Sequence, residues 1–302
     1  EEAIKNVDVS GSVVYRYDNF HNEAINNANR GNGDSGVNKY KIGLNLSSKV
    51  NDYVKFNSRF IVGGDDSGWA TTGAKKNGNL NAGNGDVNPG VTLSNAYFGF
   101  TAIPNTIVNV GKQGLTTPYT VAVDINGNEQ NGTGILALST FGPITAGAGY
   151  FNNTNIENLT DVNATRGLSS TNTANLADLN LDAGRDMYVA TVQGDLDFVK
   201  LEAWYAGLQE TFNTYTLAAT SNLDLAENAK IGLEARYVNL KLTNDARTGI
   251  ANGINTAGGI DDGSGGTINL TADDLESKNE MFRLAVDGKF SIVNARLAYT
   301  KT

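Results

Sequence analysis

The sequence predicts an all-β fold, a transmembrane antiparallel β-barrel, and three observations predict it. Short segments alternate apolar and polar residues, as in 7–17 (V-D-V-S-G-S-V-V-Y-R-Y) and 40–50 (Y-K-I-G-L-N-L-S-S-K-V). The connections alternate too, a long Asn/Gly/Asp-rich loop and then a tight turn. Aromatic residues gather at two levels of the segments. A period of two puts successive side chains on opposite faces, as a strand with one apolar and one wet face requires. Loop length sorted by parity is the wiring of an outer-membrane barrel, with short periplasmic turns and long external loops.

Taken in order, about thirteen strands are expected. They cover 7–18, 38–50, 53–63, 92–103, 106–113, 133–141, 144–151, 185–195, 198–206, 214–223, 229–242, 280–287 and 291–301. The connections after even-numbered strands are short: Asn51-Asp52, Pro104-Asn105, Gly142-Pro143, Leu196-Asp197, 224–228 and 288–290. Those after odd-numbered strands are 19–37, 64–91, 114–132, 152–184, 207–213 and 243–279, and only 207–213 is modest. A soluble sandwich has no reason to sort loops this way. A periplasmic N-terminus follows.

The first strand sets Val7, Val9, Val13, Tyr15 and Tyr17 against Asp8, Ser10, Ser12, Arg16 and Asp18. The second sets Tyr40, Ile42, Leu44 and Leu46 against Lys39, Lys41, Asn45, Ser47 and Lys49. The third sets Val54, Phe56, Phe60 and Val62 against Lys55, Asn57 and Arg59. The seventh is rich in small residues (T-A-G-A-G), and the eleventh sets Ile231, Leu233, Ala235 and Tyr237 against Lys230, Glu234 and Arg236. Alternation alone also fits a half-buried soluble sheet. The aromatics decide between them. Tyr17, Tyr40, Tyr150, Tyr188, Tyr205, Tyr237, Phe282 and Tyr299 fall at the outer level, and Tyr53, Phe100, Phe141, Phe198 and Phe290 at the opposite one. Two such rings are the aromatic girdles of a membrane barrel.

Composition narrows the function. No run approaches the roughly 20 apolar residues of a membrane helix. With 35 Gly and 4 Pro the chain suits many strands and loops. The absence of cysteine excludes thiol chemistry and Cys-ligated metals. A net charge of −9 without a basic patch excludes nucleic acid as a partner. The single histidine, His21, stands in a polar stretch (N-F-H-N-E) and reads as a loop residue. No H-E-x-x-H, P-loop or dinucleotide fingerprint occurs, so an enzyme is not expected. The polar opening from Glu1 reads as a processed mature terminus.

The third long connection differs from the rest. It carries an apolar piece, Tyr119, Val121, Ala122, Val123 and Ile125, that a solvated loop gains nothing from. A loop folded inward and packed on the wall does gain from it. Segment 114–132 is therefore read as an inward-folded constriction loop. Asp124 and Glu129 form its acidic side, facing Arg16, Lys55, Arg59 and Lys112 on the wall. Opposed charges across a constriction set ion preference. D-I-N-G-N-E (124–129) also gathers oxygen ligands around a glycine turn, a pattern open to calcium or to an ordinary turn. G-G-D-D-S-G (63–68) and D-D-G-S-G-G (261–266) read as solvated loops.

The opening E-E-A-I-K-N-V-D-V-S-G-S-V-V-Y-R-Y-D (1–18) resembles the mature N-terminus of the major outer membrane proteins of Campylobacter and its relatives. V-G-K-Q (110–113), followed by a loop ending G-T-G-I (132–135), resembles that family's fifth strand and constriction loop. Elsewhere the resemblance is architectural. It implies a trimeric porin of about 18 strands, within the roughly 16 to 18 expected of the complete chain, cation-preferring, passing small hydrophilic solutes, with calcium held by carboxylates at the constriction. Asp124 matches one ligand position of the family. The ligand after strand seven falls at Asn152, where the family has an aspartate, and Glu234 and Glu202 are candidates for a third.

The expectation is thus one barrel domain over 1–302, a general diffusion porin of the bacterial outer membrane. Its partners are lipid and lipopolysaccharide, ions and small polar solutes, and two further copies of itself. An odd strand count and an ending Y-T-K-T inside a strand read as a barrel incomplete at its C-terminus. The alternatives are a structural or adhesive surface β-protein, or a substrate-specific barrel channel.

Overall fold

A computed structural model describes residues 6–21, 34–64, 67–75, 90–124, 127–156, 185–256 and 258–302. The wall is one antiparallel sheet whose strands pair in chain order. It opens with β1 (Val7–His21), β2 (Asp34–Asn51) and β3 (Val54–Gly63). β4 (Ala70–Lys75) pairs with the outer end of β2 and stands off the main path. The wall continues through β5 (Gly90–Phe100), β6 (Thr106–Gly114), β7 (Asn131–Phe141) and β8 (Ile144–Thr154). It goes on through β9 (Met187–Leu196), β10 (Val199–Leu208), β11 (Phe212–Ala226) and β12 (Ala229–Leu242). It ends with β15 (Lys278–Phe290) and β16 (Val293–Lys301), and β1 and β16 do not pair with each other.

Each expected strand has its counterpart in this wall, and the turns between hairpins fall where the short connections do. The differences lie at the outer ends. β1 continues through His21, opposite Asp34 of β2, so this histidine ends a strand rather than sitting in a loop. The backbone pairing runs in register from Val7 opposite Ser48 through His21 opposite Asp34, past the alternating stretch. Connection 207–213 contracts to 209–211, closed by Thr211 N–H donating to the Leu208 carbonyl at 3.0 Å. The last long connection holds a helix, α1 (Asn244–Thr256), and a small hairpin of β13 (Ile260–Asp261) and β14 (Thr267–Ile268). Its Asn- and Gly-rich sequence has poor helix propensity. The helix is held instead by Arg247, which donates to the Ala272 carbonyl at 2.8 Å, and by reciprocal bonds between Asn255 and Leu270. No described helix is long and apolar enough to cross a membrane.

The two faces of the wall differ as the alternation demands. Outward positions such as Val9, Val13, Leu201, Leu217 and Leu284 are exposed apolar side chains. At the outer level the aromatics adjoin across strands: Tyr150 stands opposite Tyr188 with rings 5.3 Å apart, Tyr205 opposite Tyr215, and the half-buried Tyr237 opposite Phe282. Tyr53, Phe100, Phe141, Phe198 and Phe290 are exposed beside the turns at the other level. On the inner face of β8–β11, Phe151, Met187, Val189, Ala206, Leu208 and Phe212 form a buried apolar cluster. That cluster is the floor on which the loop after β6 lands.

Candidate functional site

The chain leaves β6 at Gly114 and rejoins the wall at Asn131. The root of the intervening loop is apolar. Leu115 is buried in the inner cluster and Tyr119 packs against it. The Tyr119 hydroxyl donates to the Trp204 carbonyl of β10 at 3.2 Å. Burial raises the Tyr119 hydroxyl above its ordinary pKa, partly offset by the polar neighbourhood of Thr216 and Thr214 of β11. Thr117 and Thr120 close a turn here, and the Thr120 hydroxyl donates to the Leu115 carbonyl at 2.9 Å.

The tip is polar and lies in the other direction. Val123 bridges Glu129, and Asp124 and Asn128 close the hairpin end. Asp124 is buried, and its carboxylate accepts from the Asn128 N–H at 2.7 Å and from Asn128 Nδ2 at 2.9 Å. Gly127 has φ +83°, and a Cβ there would lie 2.6 Å from Trp69 Nε1, so the position requires glycine on both counts.

Glu129 joins this tip to β2, β3 and β5. Arg59 of β3 donates to its carboxylate through Nε at 3.1 and 3.0 Å and Nη2 at 2.8 Å. Lys41 of β2 donates to Oε1 at 3.1 Å and to the Gly127 carbonyl at 2.6 Å. Ser94 of β5 donates to Oε2 at 2.5 Å. Ser94 is the extra residue of a bulge, since Arg59 pairs with Asn95 and Phe60 with Leu93. Bulges re-aim side chains, and this one turns the hydroxyl toward the loop. The Glu129 N–H donates to Ser67 Oγ at 2.9 Å, and its carbonyl accepts from Asn131 at 3.0 Å and Asn155 at 2.7 Å. Burial by itself would raise the Glu129 pKa. The Arg59 and Ser94 hydrogen bonds and the charges of Lys41 and Arg59 outweigh it and hold the carboxyl at about 2. The loop therefore runs across the inner face, from β10 and β11 at its root to β2 and β3 at its tip.

Of the residues singled out from sequence, the structure brings Glu129 and Arg59 together. Asp124 stands in the same tip with its carboxylate turned to Asn128. Arg16 instead donates to Asp18 at 2.6 Å, and Lys39 shares that carboxylate at 3.1 Å. Lys55 lies near the β2–β3 turn, about 13 Å along the strand from Arg59. Lys112 stands opposite Ala96 on the parity of Val110, and donates to the Leu93 carbonyl at 2.8 Å. Within the apolar piece Tyr119 packs on the wall, whereas Val121 and Val123 are exposed on the hairpin; Ile125 lies outside the described residues. Sequence reading missed the roles of Lys41, Ser94, Ser67 and Trp69. Lys41 was findable, since it shares the inward parity of the second strand. The bulge that presents Ser94 leaves no signal in the alternation.

The described residues do not fit a calcium shell around Asp124. They contain no group of three or more Asp, Glu or His placed to hold a metal. Asn152 is the exposed extra residue of a bulge in β8. Glu234 is engaged by arginines instead, with Arg236 at 3.0 Å and Arg296 at 3.3 Å.

A family model described as Campylobacter major outer membrane protein matches residues 1–271. No curated protein sequence matches the chain. Among solved structures, Acinetobacter baumannii OccAB1 is similar, with a TM-score of 0.64 and 14% identity over 97% of this chain and 65% of that one. Pseudomonas aeruginosa OccK2 (OpdF), solved in complex with glucuronate, has a TM-score of 0.61 and 11% identity over 98% and 65%. The outer membrane protein OprD from Pseudomonas aeruginosa has a TM-score of 0.59 and 14% identity over 98% and 57%. The chain spans 57% to 65% of the length of these three. At such identities the likeness is one of fold.

Proposed function

This chain belongs to the Campylobacter major outer membrane protein family, and on that premise we propose that it forms a porin, a passive water-filled channel rather than an enzyme. Its place is the bacterial outer membrane. The observation that carries the reading is the loop 115–130, anchored at both ends across the inner face of the wall. A segment so placed narrows whatever passes along that face. Filtering is by size and charge with no chemical step, which is general diffusion. Trimeric assembly and contact with lipopolysaccharide belong to the same proposal and rest on the family resemblance.

Cation preference is proposed to arise at the outer mouth. The Glu129 charge is matched by Lys41 and Arg59, and the Asp124 carboxylate is turned into its own hairpin. The connection from β12 to β15 carries Asp245, Asp261, Asp262, Asp273, Asp274 and Glu276 against Arg247. An acidic mouth raises the local concentration of cations.

A substrate-specific channel for carboxylate-bearing solutes is the second reading. It is favoured by Arg236, Arg283 and Arg296 gathered around Glu234 on the inner face, at 3.0, 4.0 and 3.3 Å. The OccK2 likeness, a structure holding glucuronate, is in keeping with it. Reconstitution of the purified protein in planar bilayers and liposomes separates the two. General diffusion gives solute entry that falls smoothly with size and does not saturate. Saturable glucuronate entry, blocked by excess glucuronate, would establish the second reading. Absence of any conductance would overturn both.

A further inference from the structure

We propose that Glu129 is the latch that fixes the width of the passage and is not one of its filter charges. The inference rests on the channel reading and adds a division of labour within the loop. Glu129 is 8% exposed, as is Lys41, and Ser94 is fully buried. A carboxylate so enclosed between an ammonium and a guanidinium is more than compensated by them, so it offers no negative field to a passing ion. What it does present is a directional bond to three neighbouring strands at once.

Two features of the wall are shaped to this one side chain, and a third residue holds its backbone. Gly43 of β2 lies on the inward parity between Lys41 and Asn45, and a Cβ there would meet Arg59 Nη2 at 2.6 Å and Nη1 at 2.8 Å. The missing side chain lets the guanidinium lie flat across β2, where Nη1 also donates to Asn45 Oδ1 at 2.8 Å. The bulge in β5 delivers Ser94. Ser67, in the connection after β3 and at φ +67°, receives the backbone N–H of Glu129. An ionised group that only coloured the lumen would need none of these. Without the latch, the tip loses its ties to β3 and β5 and keeps to β2 only the Lys41 bond to the Gly127 carbonyl, while the root stays seated by Leu115 and Tyr119. The loop then becomes a flap hinged at its root.

The two tryptophans of the chain stand at the two ends of this loop, Trp69 against Gly127 and Trp204 against Tyr119. The test uses Glu129→Gln and Arg59→Gln in the full chain, each with folding checked by heat-modifiable gel migration. In planar bilayers both variants are expected to raise single-channel conductance about twofold, with flicker between two levels, in the same direction although one removes a negative charge and the other a positive one. Filter charges of opposite sign would instead shift the reversal potential in opposite directions at constant conductance, and that result overturns the latch. A second measurement does not depend on conduction. In a Trp204→Phe background, acrylamide quenching of Trp69 should rise by about half or more on Glu129→Gln, because the tip leaves the indole. Unchanged quenching in a folded variant overturns the latch, whether or not the protein conducts. A wild-type protein that fails to conduct but shows the quenching change would sink the porin reading and leave the latch standing.

Discussion

The two ends of the loop 115–130 hold to the same wall by different physics. The root is seated by burial: Leu115 is 3% exposed in a cluster with Phe151, Met187 and Leu208. Such attachment is non-directional and tolerates substitution of similar volume. The tip is held by a carboxylate among an arginine, a lysine and a serine. Such attachment is directional, and it fails abruptly when one partner goes, because the others are left buried and unpaired. The difference implies that the root decides whether the loop folds inward, and the tip decides where its edge stops.

Removing both attachments is the strongest way to break this comparison. Deletion of 116–130 with a short Gly-Ser closure should raise single-channel conductance several-fold, beyond the effect of releasing the tip alone. Conductance equal to that of Glu129→Gln would mean that the root contributes nothing to the narrowing. Leu115→Ala attacks the root by itself. Truncation of a buried leucine costs about 2–5 kcal/mol, and much of that should fall on loop docking. Quenching of Trp204 should rise in this variant while heat-modifiable migration persists. If Trp204 stays protected, the root is not seated by Leu115.

Acid acts on the tip alone. The Glu129 pKa is held at about 2 from an ordinary 4.5. A depressed carboxyl stabilises the docked state fully above the unfolded value, and the contribution is lost as pH falls from about 4.5 toward about 2. Lys41 and Arg59 are the cations facing it. Trp69 quenching should therefore be flat from pH 8 to 5 and climb below about 4, with Glu129→Gln flat across the whole range. A rise centred near pH 6 would place the latch on another group.

How much of this was legible follows the same division. Period-two alternation and loop parity place every wall strand, because outward positions must be apolar at each step and the pleat fixes which ones they are. The root was visible for the same reason, since apolar residues in a polar connection need a surface to cover, and Tyr119 finds one. The tip's two carboxylates were visible, but their roles were not. Whether a carboxylate is free or paired depends on residues brought from β2, β3 and β5, and on a bulge that alternation does not encode. Arg59 was picked with Arg16, Lys55 and Lys112, yet a strand face extends over tens of ångströms and only Arg59 stands at the level of the tip. The helix α1 was hidden because its buried stripe is short and built of small residues, Ala246, Gly249, Ile250 and Ala251, in an Asn- and Gly-rich segment of poor helix propensity.

The gentlest change tests whether the root carries any direction at all. Tyr119→Phe keeps the ring against the apolar cluster and removes only the hydroxyl that donates to the Trp204 carbonyl. One such bond contributes about 0.5–1.5 kcal/mol. If burial alone seats the root, conductance, reversal potential and Trp204 quenching should all stay at wild-type values, with at most a small fall in the temperature of gel-shift loss. A flickering channel from so small a change would mean that the hydroxyl, too, is a latch. The root and tip would then differ in strength rather than in kind.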